Sequence, residues 1–229
     1  MPCVLKPVRG GGPLPTTRLI DTEHDLRTVL ERLPPDEPLL VQELVDGPLS
    51  ALAVVIGRDG RLRARFQQAT LRTWPPKAGN SSLAVSVAPD EGLAERAADM
   101  LRNAGYVGMA QLQFMGRAGE LALIDVNPRF YGSLALALAC GVNLPAVWHD
   151  AVTERNTSAP SDYPVGVTYR WLGGEFLAAT HGTPRLLLER TSPPRAGAFW
   201  SGDDPLPGVV SGARTVAGML RRCLRGVKS

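Results

Sequence analysis

Near the middle of the chain, the run Leu121-Ala122-Leu123-Ile124-Asp125-Val126-Asn127-Pro128-Arg129-Phe130-Tyr131-Gly132-Ser133 sets polar side chains at alternate positions. Alternate residues of a strand share a face, so Asp125 and Asn127 project together from an otherwise apolar strand, a carboxylate beside an amide oxygen. That pair suits Mg²⁺, which takes one or two carboxylates and lets nucleotide phosphates and water complete its octahedron. Pro128 ends the strand and turns Arg129 outward, where a planar fork could grip a phosphoryl or carboxylate group at two points. A plainer reading fits the same residues: Asp125, Asn127 and Arg129 cap a strand end and pair locally, since Asx side chains commonly close strands. Residue types alone do not choose between the two.

The rest of the chain supplies the elements that would position this run. Residues 3–6 read as a short strand entering a glycine loop at Gly10-Gly11-Gly12. Thr22 and Asp25 have a helix-capping spacing, Leu26, Val29, Leu30 and Leu33 recur at helical intervals, and Pro34-Pro35 ends the helix. Residues 39–45 read as a buried strand closed by Asp46-Gly47-Pro48. Asp59-Gly60 between β-rich runs predicts a hairpin, and residues 70–82, rich in Pro, Gly and Ser, a surface loop. A helix opens at Asp90, with Leu93, Ala97, Met100, Leu101 and Ala104 on one face, and stops at Gly105. A second hairpin joins 108–115 to 120–127. An apolar helix then starts at Gly132-Ser133 and ends at Gly141, and another carries Pro145 in its first turn. Residues 156–164 are the best linker. Beyond it 167–172 suggest a strand, 193–207 a loop and 215–224 a helix. Hairpins mixed with helices indicate an α+β fold.

Composition narrows the function classes. The 229 residues hold 25 Lys+Arg against 22 Asp+Glu, a net charge of +3, and are 44% apolar, which is a globular balance. No run approaches the roughly 20 apolar residues of a membrane span, and residues 1–7 lack the layout of a secretory signal, so a cytoplasmic location is expected. Cys3, Cys140 and Cys223 have no metal-site or disulfide spacing and read as free thiols. Arginines cluster only at Arg221, Arg222 and Arg225. They suit a solvated helix end, and no nucleic-acid partner is expected.

The order of motifs resembles the ATP-grasp superfamily. Lys6-Pro7 precedes a glycine loop, Val41-Gln42-Glu43-Leu44-Val45-Asp46-Gly47 forms a hinge, and a hairpin and a capping helix lead to Asp125-Val126-Asn127-Pro128-Arg129-Phe130-Tyr131-Gly132-Ser133. Asn127-Pro128-Arg129 is most similar to the carboxylate–amine ligase-like branch, and Asp203-Asp204-Pro205-Leu206-Pro207 resembles that branch's C-terminal tail. The resemblance implies two lobes of antiparallel sheet with helices, lacking the usual N-terminal domain. It implies an ATP-grasp domain over 1–155, with 1–45 the small-lobe part and hinge and 46–155 the large lobe, and a C-terminal extension over 156–229. Lys6 would lie over the ATP phosphates under a flexible cover of Gly10, Gly11 and Gly12. The main chain of Gln42, Glu43, Leu44 and Val45 would meet the adenine edge, and Arg72, in the loop before Trp74, would reach phosphates. Asp125 and Asn127 would hold Mg²⁺, and Arg129 would orient the acceptor carboxylate.

Some positions depart from the family pattern. Leu49 stands where a ribose-contacting Glu is common, and Gln113, with Gln111 on its face, stands where a first metal carboxylate is usual. Asp125 replaces a commoner Glu. The function implied is a Mg-ATP-dependent ligase that joins a small-molecule carboxylate to an amine or other nucleophile through an acylphosphate. Two alternatives are a degenerate, non-catalytic ATP-binding module and half of a split ligase. In the last, a partner chain or second copy supplies the missing lobe, and exposed apolar surface near residues 3–45 would mark it.

Overall fold

The computed structural model describes residues 2–8, 17–76, 79–117, 119–153, 155, 159–180, 195–199 and 202–226. The chain first builds a three-stranded antiparallel sheet in the order β2-β1-β3, from β1 (Cys3–Pro7), β2 (Arg18–Ile20) and β3 (Leu39–Glu43). Helix α1 (Glu23–Leu30) follows β2, and its start is fixed by a reciprocal cap. The Thr22 hydroxyl accepts from the Asp25 amide, and the Asp25 carboxylate accepts from the Thr22 amide. Such a cap is worth about 1 kcal/mol. Cys3, Leu5 and Ile20 are buried against Leu26, Val29, Leu33 and Leu39, a small core that holds β1 in place.

Strand β3 corrects one expectation. Leu40 is 51% and Val41 61% exposed, so this is not a buried strand. It is an edge strand of the small sheet, paired among the described residues with β1 alone, and α1 packs over β2 instead.

A seven-stranded sheet forms the larger lobe in the order β10-β9-β6-β5-β4-β7-β8. Its strands are β4 (Leu49–Ile56), β5 (Leu62–Trp74), β6 (Asn80–Ser86), β7 (Gly108–Met115), β8 (Ala122–Asn127), β9 (Thr168–Arg170) and β10 (Arg195–Gly197). Every pairing is antiparallel except β9 with β10. Helix α2 (Glu91–Asn103), capped by Asp90, lays Leu93, Ala94, Ala97, Ala98 and Leu101 over Leu52, Val54, Ile56, Leu112 and Phe114. The opposite face of β4 offers Ala53 and Val55, which pack with Phe66 beneath α3 (Leu134–Ala139) and α4 (Leu144–Val152). A strand covered on both sides needs a nearly continuous apolar run, and β4 has one.

The region expected to loop between 70 and 82 is mostly strand. β5 runs to Trp74, and β6 starts at Asn80. Thr70, Leu71, Thr73 and Trp74 are β-branched, bulky or aromatic residues that suit a ladder, and register shifts near Arg72 absorb the irregularity. The expected linker also carries structure, because Tyr163 is buried and its hydroxyl accepts from the Gln67 amide and donates to the Val87 carbonyl. Beyond it, α5 (Leu172–Thr180) starts where the suggested strand was to end, and β10 lies inside the expected 193–207 loop. Helix α6 (Leu206–Gly226) begins well before residue 215, within the tail resemblance. No helix among the described residues is long and apolar enough to cross a membrane. Cys3 and Cys140 are free and buried.

The turn into the large lobe depends on glycine. Gly47 has φ +136°, and a Cβ there would lie 2.8 Å from the Gly116 Cα. Gly47→Ala therefore combines backbone strain with a backbone collision and should cost about 2–4 kcal/mol. Urea unfolding of the wild type and the variant measures it, with an unchanged midpoint the contrary result.

Candidate functional site

Strand β8 is the outer strand at one side of the large sheet. Its register with β7 sets Asp125 opposite Gln113 and Asn127 opposite Gln111, and β7 in turn sets Gln113 opposite Ala51 and Gln111 opposite Ala53. Directly opposed residues of an antiparallel ladder share a face. The four polar side chains therefore stand together on the face that carries Ala53, beside the low floor made by two alanines. The Asn127 amide nitrogen donates to Asp125 Oδ2 at 2.9 Å, which fixes both side chains on one side of β8.

Lys6 comes to the same place from the other lobe. It sits on β1 opposite Leu40, and its Nζ donates to the Ile124 carbonyl at 2.6 Å, across 118 residues of sequence. Ile124 immediately precedes Asp125. The ammonium thereby meets the backbone of the strand that bears the carboxylate and the amide.

The segment after β8 is tied at several points. The Arg129 amide donates to the Asn127 carbonyl at 2.8 Å, a tight turn at Pro128 that leaves the Arg129 side chain exposed. Its Nη1 donates to the Phe130 carbonyl at 3.0 Å. The Phe130 ring stands edge-on to Trp148 of α4, with centroids 5.7 Å apart. Tyr169 Oη donates to the Gly132 carbonyl at 3.0 Å, and Gln68 Nε2 to Ser133 Oγ at 2.8 Å. Burial pushes the Tyr169 phenol up to about 12, so it remains a donor at neutral pH.

Other expected site residues fall as follows. Gln42 and Glu43 end β3, Leu44 and Val45 follow it, and among the described residues no strand pairs with the far edge of β3. Gly10, Gly11 and Gly12 lie outside the described residues. Arg72 is not in a loop. It lies within β5, and its Nη1 donates to the Glu175 carboxylate of α5. Sequence reasoning missed Glu175, although one acid among Leu172, Phe176, Leu177, Ala178 and Ala179 is a visible anomaly. It also missed Gln68 and Tyr169, which carry no local signal.

The donor set fits magnesium bound together with phosphates. Among the described residues no group of three or more His, Cys, Asp or Glu side chains could hold a metal by itself. A single carboxylate with neighbouring amides suits an ion whose remaining ligands are phosphate oxygens and water.

Residues 36–175, more than half of the chain, match the family described as ATP-grasp in the biosynthetic pathway with Ter operon. The chain belongs to the ATP-grasp family. Among solved structures, this ATP-grasp chain resembles the biotin carboxylase domain of Hydrogenobacter thermophilus 2-oxoglutarate carboxylase, in complex with MgADP, ADP and bicarbonate. The TM-score is 0.57 at 16% identity over 73% of this chain and 40% of that one. It also resembles N5-carboxyaminoimidazole ribonucleotide synthetase from Thermus thermophilus, with a TM-score of 0.54 at 22% identity over 69% and 43%. The Staphylococcus aureus N5-carboxyaminoimidazole synthetase complexed with ADP gives 0.56 at 16% identity over 72% and 44%. These likenesses are of fold, and the chain spans less than half the length of each of the three. No curated protein sequence is similar enough to register as a match.

Tyr169→Phe, which leaves the Gly132 carbonyl without its donor, should cost about 1 kcal/mol at pH 8. Its folded pKa lies above the ordinary 10.0, so the phenol's contribution is complete below pH 10 and fades as pH rises toward 12. Urea unfolding at pH 8 and pH 11 checks this, the wild type losing more stability than the variant over that interval.

Proposed function

We propose that the chain acts as a Mg-ATP-dependent ligase that activates a carboxylate as its acylphosphate and passes the acyl group to an amine or other nucleophile. The observation that carries this reading is the meeting of Lys6 with the strand bearing Asp125 and Asn127. The family match supports it at the level of the superfamily. The ADP complexes among the structural neighbours support ATP and Mg²⁺ as its cofactors.

In this reading a carboxylate oxygen attacks the γ-phosphorus, the bond to the β–γ bridging oxygen breaks, and ADP leaves. The nucleophile then attacks the acyl carbon and releases phosphate. Bound magnesium would screen the phosphate charge. Asp125 and Asn127 would hold the ion, with Gln113 as a neutral third ligand on the paired strand. Lys6 leaves the Ile124 carbonyl to neutralise phosphate charge as a mobile point charge. Gly10, Gly11 and Gly12 cover the phosphates with backbone amides, Gln42, Glu43, Leu44 and Val45 offer main chain to the adenine, and Arg72 reaches the phosphates. Arg129 is the catalytic residue, orienting the acceptor carboxylate with its fork. Residues 1–155 form the nucleotide-handling unit and 156–229 its C-terminal extension, in a cytoplasmic protein.

Two observations favour neighbouring readings. Gln113 in place of a carboxylate favours a module that binds ATP without turnover. Exposed Val8, Leu30, Leu40 and Val41 on the small lobe favour half of a split ligase completed by a partner chain or second copy.

Titration calorimetry with Mg-ATP separates these. The wild type should bind, and Asp125→Ala should bind at least about tenfold more weakly, the scale of one lost charged contact. Unchanged affinity in Asp125→Ala contradicts the metal assignment. ADP release from a pool of carboxylates and amines marks the ligase, and binding without release marks the silent module. Release that appears only with a second protein marks the split enzyme.

A further inference from the structure

Helix α6 turns its apolar stripe away from the protein. Leu206, Val209, Ala213, Val216 and Ala217 recur at spacings of three and four, which places them along one side of a helix. A surface helix ordinarily buries such a stripe. Here Leu206 is 66%, Val209 56% and Val216 49% exposed, and both alanines are exposed as well. The side turned towards α5 is small and polar instead. Ser211, Thr215 and Gly218 are half-buried and line a groove with Trp171 and Leu177, which Val210 also borders. A Cβ on Gly173 of α5 would lie 3.2 Å from the Thr215 hydroxyl oxygen, so the two helices already meet closely. Thr215 can face inward because its hydroxyl donates to the Ser211 carbonyl at 2.9 Å, within the helix.

A continuous apolar stripe left in water marks a surface that another molecule covers, and charge says which molecule fits. Asp203 and Asp204 precede the helix, whereas no acid follows them and Arg214, Arg221, Arg222, Arg225 and Lys228 make the other end basic. Two such helices side by side in parallel would set like charges together, which is costly at an interface. Set antiparallel, each acidic end meets a basic one. A twofold axis at position 215 also matches the apolar positions, pairing 206 with 224, 210 with 220 and 213 with 217, where Leu220 and Leu224 continue the spacing of the stripe. A twofold contact uses the same patch on both copies, so one self-complementary stripe is enough. The helix has 21 residues and is about 30 Å long. A seam of that length is small for a permanent dimer, so the association depends on concentration.

We propose that the exposed stripe of α6 docks on the same stripe of a second copy of this chain, the two helices antiparallel and the acidic end of each against the basic end of the other. The contact uses neither the residues of the nucleotide site nor the exposed apolar residues of the small lobe.

Sedimentation velocity on the full chain should show monomer giving way to dimer between about 1 and 100 µM. Val209→Glu/Val216→Glu, on the side away from α5, should raise the dissociation constant at least about tenfold. Asp203→Arg/Asp204→Arg and Arg221→Glu/Arg225→Glu should each weaken the dimer, and an equimolar mixture of the two should restore it, because their helices then carry opposite charges. The mixture decides the matter should Val209→Glu/Val216→Glu not fold, and its failure to restore the dimer contradicts the charge pairing. A chain that stays monomeric throughout, or a dimer that the two glutamates leave unchanged and that therefore uses another face, overturns the proposal. So does a monomeric chain that floats with phosphatidylserine vesicles, whose stripe then belongs to a lipid surface.

Discussion

The hydrogen bond from Lys6 to the Ile124 carbonyl, 2.6 Å long, is the contact on which the site depends, because it brings the small lobe to the strand that carries Asp125 and Asn127. Each partner is held from behind by ordinary packing. Lys6 shares β1 with Leu5, which is fully buried in the small-lobe core, so its reach is set by an apolar neighbour. Ile124 belongs to β8, whose register with β7 also fixes which face the acid and the amide present. A flexible ammonium on a fixed strand can exchange one oxygen partner for another, as the proposed function requires of Lys6.

The large sheet is covered on both faces near its middle, so its polar row is confined to the outer strands. α2 covers Leu52, Val54 and Ile56 on one side, and on the other α3 and α4 cover Ala53 and Val55. The polar group formed by Gln111, Gln113, Asp125 and Asn127 falls towards the outer strand of that second face. The segment that follows is fastened by groups from elsewhere in the chain, Gln68 from β5 and Tyr169 from β9. The residues after 155 thus add a strand to the sheet, a donor to the Gly132 carbonyl and a carboxylate that pairs with Arg72.

Much of this was legible in the chain because it is local. Alternation put Asp125 and Asn127 on one face, Asp59-Gly60 and Gly116 to Gly119 marked the hairpins, Thr22 and Asp90 start helices through their own side chains, and Pro145 falls in the first turn of a third. What was not legible is what depends on pairing across the sequence. Strand β3 is as apolar as a buried strand, yet at the edge of the small sheet Leu40 and Val41 are exposed. Residues 70–74 carry strand-forming types whose signal is masked by the Pro, Gly and Ser that follow, and the ladder with β6 decides the matter. Arg72 found its partner on a helix that local pattern read partly as strand, and no spacing rule connects it to Glu175.

The central claim, that a metal-bound triphosphate sits between Lys6 and the Asp125–Asn127 pair, is tested most directly by affinity cleavage. Fe²⁺ replaces Mg²⁺ with ATP, and ascorbate and peroxide generate radicals that cut the main chain beside the bound metal. The account predicts ATP-dependent cuts at residues 125–127, with a weaker one on β1 near residue 6. Cuts confined to other parts of the chain, or cuts indifferent to ATP, would contradict it.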